Sequence, residues 1–145
     1  MEHKTAKDKT IMRLNRDENV VESVTKLAKE KDWKAGTIMG IGAFKDTVLA
    51  YYDLDQQAYL KKTIPEIYEL VSLQGNLSQV NGEPFFHMHV VIAGRDQQCL
   101  GGHLVSAKVG VTVELIFEEI DLRMIRTEND SRVALKLLDF SYCNC

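Results

Sequence analysis

The sequence predicts an α+β fold in which a mainly antiparallel β-sheet packs against one principal α-helix. A single segment, about 18–32, carries apolar residues at helical spacing. Most of the remaining chain consists of short β-rich runs separated by turn residues. Because parallel strands need long crossovers, usually helical, and the sequence offers one strong helix, we expect antiparallel pairing.

The helix is the strongest local signal. Its apolar positions repeat at the spacing of one helix face and are Val20, Val21, Val24, Leu27 and Ala28. Asp17 precedes them and is expected to cap the amide groups of the first turn. Gly36 lies shortly beyond the last turn, where a helix commonly ends.

The strand predictions rest on period-two alternation and on turn residues between the runs. The predicted strands are 10–14, 36–44, 47–54, 58–64, 66–71, 73–80, 85–93, 99–105, 111–120, 122–126 and 133–140. Asn81-Gly82 is the strongest turn signal and separates two of these runs.

Size and composition favour one globular domain. The chain has 145 residues, of which 45% are hydrophobic, and we expect a domain over 8–140 with flexible tails at 1–7 and 141–145. The net charge of -3 argues against a domain whose main task is to hold a phosphate backbone. No apolar run reaches membrane-spanning length and no signal peptide is recognised, so a cytoplasmic location without a membrane partner is expected.

Three of the four histidines fall between positions 87 and 103. His87 and His89 are alternate residues of one predicted strand, so their side chains point to the same face about 7 Å apart. If the hairpin closes with Gly94 opposite Gln98, His89 faces His103 on the next strand, and His87 lies diagonally from it. A slip of one residue would turn His103 to the other face.

Three neutral imidazoles with an open fourth position suit one divalent metal, with zinc as the first choice and iron or nickel as alternatives. The competing interpretation is that they are ordinary sheet histidines. Gly101 and Gly102 precede His103, and two glycines inside a strand indicate a bulge or a close approach, here by a ligand.

The fourth metal ligand stays open. Cys99 stands about 13 Å along the strand from His103 and is excluded. The pair Cys143 and Cys145 is expected to be free, as are thiols in a reducing compartment. His3 is assigned no role.

Several stretches resemble those of one known family. They are Gly82-Glu83-Pro84-Phe85-Phe86-His87-Met88-His89-Val90-Val91-Ile92-Ala93-Gly94, Gly101-Gly102-His103-Leu104, Gly40-Ile41-Gly42-Ala43-Phe44, Tyr68-Glu69-Leu70-Val71-Ser72-Leu73-Gln74-Gly75-Asn76-Leu77 and Val113-Glu114-Leu115-Ile116-Phe117. Together they resemble the PPC (plants and prokaryotes conserved) domain family, of the prokaryotic stand-alone type, over about 8–140.

The resemblance implies an antiparallel sheet with a helix, assembled as a homotrimer. Plant members place this domain after an AT-hook that enters the DNA minor groove, and this chain has no Arg-Gly-Arg-Pro core. A DNA-binding or regulatory role, with a DNA or protein partner, is therefore implied by kinship alone, and fold does not settle function.

A second resemblance keeps an enzymatic alternative open. The sheet is similar to that of acetolactate decarboxylase, a zinc enzyme with an H-x-H pair and a later histidine. This implies a metal-dependent lyase or hydrolase in which the metal polarises a carbonyl group. Glu83, Glu114 and Glu118 are candidate acid-base partners, and no catalytic residue is assigned.

Overall fold

The structure of the chain, a computed structural model, describes residues 1–128, 130 and 132–142. The elements in chain order are β1 (Glu2–Ala6), β2 (Lys9–Leu14), α1 (Val20–Glu30), β3 (Gly36–Asp53), β4 (Ala58–Ile64), β5 (Tyr68–Val80), β6 (Glu83–Ala93), β7 (Cys99–Glu119), β8 (Arg126–Thr127), β9 (Leu137–Leu138) and a 3₁₀ turn at Phe140–Tyr142. One α-helix and many strands among the described residues confirm the predicted α+β class.

Seven strands form one sheet in the order β1-β2-β7-β6-β5-β3-β4, and every pairing in it is antiparallel. The two long strands, β3 and β7, also pair with each other, so β3, β5, β6 and β7 close into a ring. Strand β7 can do this because its first part pairs with β6 and its last part with β2. The sheet therefore wraps around a core.

Helix α1 covers part of that core. Its buried face consists of Val20, Val24, Leu27 and Ala28, at the predicted spacing. Trp33, just beyond the helix, stacks on Phe117 of β7 with ring centroids 4.1 Å apart. Burial of each such large apolar side chain stabilises the fold by about 1.5–3 kcal/mol relative to exposure.

The prediction that Asp17 caps the helix is wrong. The N-cap is Asn19, whose side-chain oxygen accepts a hydrogen bond from the amide of Glu22 at 3.2 Å. Asp17 lies two residues too early, in a left-handed conformation with φ 71°. Its carboxylate forms an ion pair with Lys45 instead.

Several predicted strands merge into longer ones. The runs 36–44 and 47–54 both belong to β3, 66–71 and 73–80 to β5, and 99–105 and 111–120 to β7. Register shifts mark the joins, for example between Leu70 and Ser72 in β5 and between Lys45 and Val48 in β3. A bulge absorbs an extra residue without ending the ladder, so residues that resemble turns in the sequence can remain within a strand.

The two ends of the chain differ from the expectation. Residues 2–6 form β1, which pairs with β2, and this corrects the prediction of a flexible tail at 1–7. The predicted strands 122–126 and 133–140 contain only the two-residue pair β8 and β9. Within the predicted tail 141–145, residues 143–145 lie outside the described residues. Among the described residues, every helix is too short or too polar to cross a membrane.

Candidate metal centre

The hairpin of β6 and β7 has the register that the sequence predicts. His89 pairs directly with His103, and Ala93 pairs with Cys99. The amide of Gly94 donates to the carbonyl oxygen of Gln98 at 3.0 Å, which closes the loop. The predicted register, with His89 opposite His103, is thus confirmed.

Alternation along β6 sets the face on which the histidines lie. Phe86, Met88, Val90 and Ile92 are buried in the core. His87 and His89 occupy the odd positions between them and therefore point to the opposite face of the sheet. An apolar core on one side thus forces the two imidazoles outward together.

The three imidazoles gather around a common point. One ligand nitrogen from each of His87, His89 and His103 can be chosen so that all lie within 4.8 Å of one another. The ring centroids are 5.0, 5.3 and 5.5 Å apart, and the Nε2 atoms of His87 and His89 are separated by 3.2 Å. This spacing would let three nitrogens coordinate one ion.

The donor set fits a divalent metal. The Nδ1 atom of His103 is buried and has no hydrogen-bond partner among the described residues. Leaving such an atom unpaired costs about 1–3 kcal/mol, a cost that a bound ion or a hydrogen-bonded partner would remove. Tyr59 of β4 stacks on the His103 ring at 5.0 Å and fixes its orientation. An all-imidazole set of three suits zinc and neighbouring transition metals.

The surroundings of His87 and His103 favour the neutral imidazole, which is the form that binds metal. Burial lowers the pKa of His87 from 6.5 to about 4, with a further contribution from the positive charge of Arg126. Burial also lowers the pKa of His103, and repulsion from His89 adds to it. Both rings therefore carry a free lone pair at pH 7.

This lowering of the His87 pKa predicts acid sensitivity of the metal-free protein. The unfolded chain takes up a proton near pH 6.5 and the folded chain only near pH 4, so folding stability falls as the pH drops through that window. Because His87 is partly exposed and solvent screens the effect, we expect a loss on the order of 1–2 kcal/mol. Urea unfolding in EDTA at pH 7 and pH 4.5 measures it.

The matched variants for this test are His87→Gln and His3→Gln. We expect the first to lose clearly less stability between the two pH values than the parent protein. The second, which removes an exposed histidine of β1, should lose as much as the parent. An equal loss in His87→Gln and in the parent would contradict the assignment.

Arg126 lies beside the histidines, and sequence reasoning did not single it out. Its Nε donates to Ser78 Oγ at 2.8 Å, and its Nη2 donates to Asn76 Oδ1 at 2.9 Å. Nη2 also lies 3.4 Å from Nδ1 of His87. Asn76 pairs with His87 across β5 and β6, so the guanidinium lies beside the strand that carries His87 and His89.

A cavity of about 370 Å³ joins Arg126 to the cluster. It is lined by Tyr59, Phe85, His87, His103, Arg126, Glu128, Ala134, Leu135, Lys136 and Leu137. Among the described residues of this lining, Glu128 is the only carboxylate. Ligand cavities commonly have volumes of about 300–1,000 Å³, and the size here suits a small molecule.

The glutamates singled out from the sequence lie elsewhere. Glu83 forms an ion pair with Lys29 of α1 at 2.5 Å, and Glu118 pairs with Lys9 of β2. Glu114 lines a separate, apolar cavity. None of the three lines the cavity beside the histidines.

Gly101 and Gly102 permit close approach of neighbouring strands. A Cβ atom at Gly101 would lie 3.1 Å from the carbonyl oxygen of Val90, and one at Gly102 would lie 3.0 Å from that of Ala50. The approach of a ligand to this backbone remains a prediction.

The fold and the site together define a class of protein. It is an antiparallel α+β domain with three histidines gathered on one face of its sheet. The model of the Plants and Prokaryotes Conserved (PCC) domain matches residues 1–121, and the chain belongs to this family. The family resemblance given by the motif residues is thereby confirmed.

Several solved structures are similar to this chain in fold and sequence. A candidate DNA-binding protein from Bacteroides thetaiotaomicron is 31% identical, with 97% of each chain covered and a TM-score of 0.92. A metal-containing protein from Archaeoglobus fulgidus is 31% identical, with 95% of this chain and 96% of that chain covered and a TM-score of 0.83. A plant- and prokaryote-conserved protein from Pyrococcus horikoshii is 26% identical, with 95% and 93% covered and a TM-score of 0.83. No curated protein matches significantly.

Acetolactate decarboxylase from Bacillus subtilis subspecies spizizenii shares the fold more distantly. It is 14% identical, with 84% of this chain and 57% of that chain covered and a TM-score of 0.57. At this identity the likeness concerns the fold alone.

Proposed function

We propose that this chain is a metal-binding member of its family in which His87, His89 and His103 hold one divalent metal. The observation that carries the proposal is the convergence of three imidazole nitrogens within 4.8 Å. Zinc is the first choice because the donors are three neutral imidazoles, and iron and nickel are the alternatives. The metal-containing relative from Archaeoglobus fulgidus supports it.

The residues of the chain would leave the metal reactive. Three neutral ligands do not compensate the charge of a divalent ion, and three protein ligands leave a coordination position open. When bound, the metal would supply Lewis acidity toward an oxygen atom of a ligand. The cavity beside His87 and His103 would admit that ligand.

Metal analysis of protein purified without a polyhistidine tag tests the proposal. We expect about one divalent metal per chain, removed by a chelator and restored by added zinc. Protein that contains no zinc, iron or nickel, and that takes up none when each is added, would contradict it.

We also propose that the chain assembles as a homotrimer. Ile11, Met39, Ile41 and Ile116 are 41–61% exposed and border an apolar cavity of about 390 Å³ on the outside of the sheet. Contiguous apolar surface of this kind marks interaction sites. Native mass spectrometry should show three chains, and a monomer at micromolar concentration would contradict the assembly.

A metal-dependent lyase or hydrolase is the second candidate, favoured by the cavity. Arg126 could orient an anionic substrate there, and burial raises the pKa of Tyr59, so its hydroxyl remains a proton donor. Production of acetoin by the zinc-loaded protein from acetolactate tests this reading. If no acetoin forms above the background measured with zinc alone, this particular activity is excluded.

A DNA-binding or regulatory role is supported by the description of the Bacteroides relative. The net charge of -3 opposes it. Binding to duplex DNA that persists at about 150 mM salt would support the role, and binding seen only at very low salt would contradict it.

A cytoplasmic location stays a prediction, for which cell fractionation is the test.

A further inference from the structure

Arg126 is a buried cation whose hydrogen-bond partners, among the residues that the structure describes, are neutral groups. Its residue is 8% exposed, and its short hydrogen bonds go to Ser78 Oγ, Asn76 Oδ1 and the carbonyl oxygen of Lys136. No described carboxylate lies within ion-pair distance of it. Buried charges are normally paired, and the described part of the chain supplies no counter-anion for this guanidinium.

Part of the guanidinium faces the metal centre. Nη2 lies 3.4 Å from Nδ1 of His87, a long distance for a hydrogen bond. A neutral imidazole that coordinates through Nε2 carries its proton on Nδ1 and cannot accept from Arg126. Coordination of His87 in this way would therefore leave one Nη2 hydrogen available. The four contacts of the guanidinium also leave the second Nη1 hydrogen without a partner among the described residues.

The cavity offers further recognition of an anion. Its walls combine the apolar side chains of Phe85, Leu135 and Leu137 with the hydroxyl-bearing ring of Tyr59. Glu128 is the opposing negative charge, but its side chain is 72% exposed and lies 3.8 Å from the Lys136 ammonium group. The buried charge in the cavity is thus the positive one.

We propose that the cavity binds a small carboxylic acid whose carboxylate lies between the metal and Arg126. The proposal rests on the proposed metal centre. A planar carboxylate matches the fork of a guanidinium, and its oxygens are ligands that zinc accepts. The cavity of about 370 Å³ has room for a small organic acid such as a 2-oxo acid.

Arg126 comes from a segment beyond the part of the chain that matches the family model. That match covers 1–121, whereas Arg126 is held by the pairing of β8 with β9 and by the amide of Gln79, which donates to the carbonyl oxygen of Met124 at 2.7 Å. The C-terminal segment therefore adds the anion-binding group to a sheet that supplies the metal ligands.

Calorimetric titration of the zinc-loaded protein with pyruvate tests the proposal, with pyruvamide as the neutral control and inorganic phosphate as a second anion. We expect pyruvate to bind, pyruvamide to bind at least about 10-fold more weakly, and phosphate to bind more weakly than pyruvate. Arg126→Gln should weaken pyruvate about 10- to 100-fold while zinc per chain is unchanged. Tighter binding of phosphate than of pyruvate would overturn the carboxylate assignment.

Glu128→Gln is a second variant that tests the proposal if Arg126→Gln fails to fold. It alters an exposed side chain, so we expect it to fold. Removal of the opposing charge should tighten pyruvate binding about 2- to 5-fold. Cobalt-substituted protein gives an independent readout, since pyruvate at the metal should change its visible spectrum. Normal zinc content with no pyruvate binding would overturn this proposal alone, whereas absence of zinc would overturn the metal centre itself.

Discussion

Gly75→Ala is expected to destabilise the folded chain by about 3 kcal/mol, the upper range for overpacking of a tight interior. A Cβ atom at Gly75 would lie 2.4 Å from the carbonyl oxygen of His87, 2.7 Å from Met88 Cγ and 3.0 Å from Met88 Cα. Two of these are backbone atoms of β6, so the strand itself would have to move. Because that strand carries His87 and His89, the histidine cluster would be displaced as well.

Urea unfolding measures this effect, and Gly94→Ala is the matched control. At Gly94 the nearest atoms to an added Cβ are side-chain atoms of Tyr68 at 2.9 Å and of Asp96 at 3.1 Å, and side chains can move aside. We expect the control to lose less than about 1 kcal/mol. Equal midpoints for Gly75→Ala and the parent protein would contradict the close strand packing described above.

His89→Gln is expected to weaken zinc binding at least 100-fold. Loss of an outer-shell partner typically costs about 10- to 100-fold in metal affinity, and loss of a direct ligand from a set of three should cost at least as much. His89 is exposed, so the metal-free variant should remain as stable as the metal-free parent. Competition against a chromophoric chelator measures the dissociation constant.

His3→Gln is the control for this variant. His3 pairs with Met12 at the edge of the sheet and is not part of the three-histidine group. Its replacement should leave the zinc dissociation constant within about twofold of the parent value. If His89→Gln and His3→Gln bound zinc equally well, the cluster would not be the binding site.

The histidine cluster could be predicted because two simple periodicities fix it. Alternation places His87 and His89 on one face of β6, and the loop from Gly94 to Gln98 sets His103 opposite His89. Both depend on residues close together in the sequence. The buried residues between the two histidines then decide which face is outward.

Other features depend on packing that short-range patterns do not encode. The continuity of β3, β5 and β7 results from bulges, and residues at a bulge resemble turn residues in sequence. The helix is capped by Asn19 and begins at Val20, after the chain turns at Asp17, where the left-handed conformation is compatible with an aspartate.

Arg126 shows most clearly what could not be predicted from the sequence. Its hydrogen-bond partners Asn76 and Ser78 lie 50 and 48 residues away in the sequence. The segment that carries it reaches β5 through the bridge between Gln79 and Ile125. A lone arginine in a mixed run gives no sign of such a contact, so its position beside His87 required the folded chain.

The central claim is that one divalent metal is held by imidazoles from β6 and β7. Diffraction from crystals of zinc-loaded protein, measured on both sides of the zinc absorption edge, tests it most directly. The expected result is one anomalous peak per chain, about 2 Å from a nitrogen of each of His87, His89 and His103. A peak elsewhere, or a His103 ring directed away from the other two, would contradict the claim.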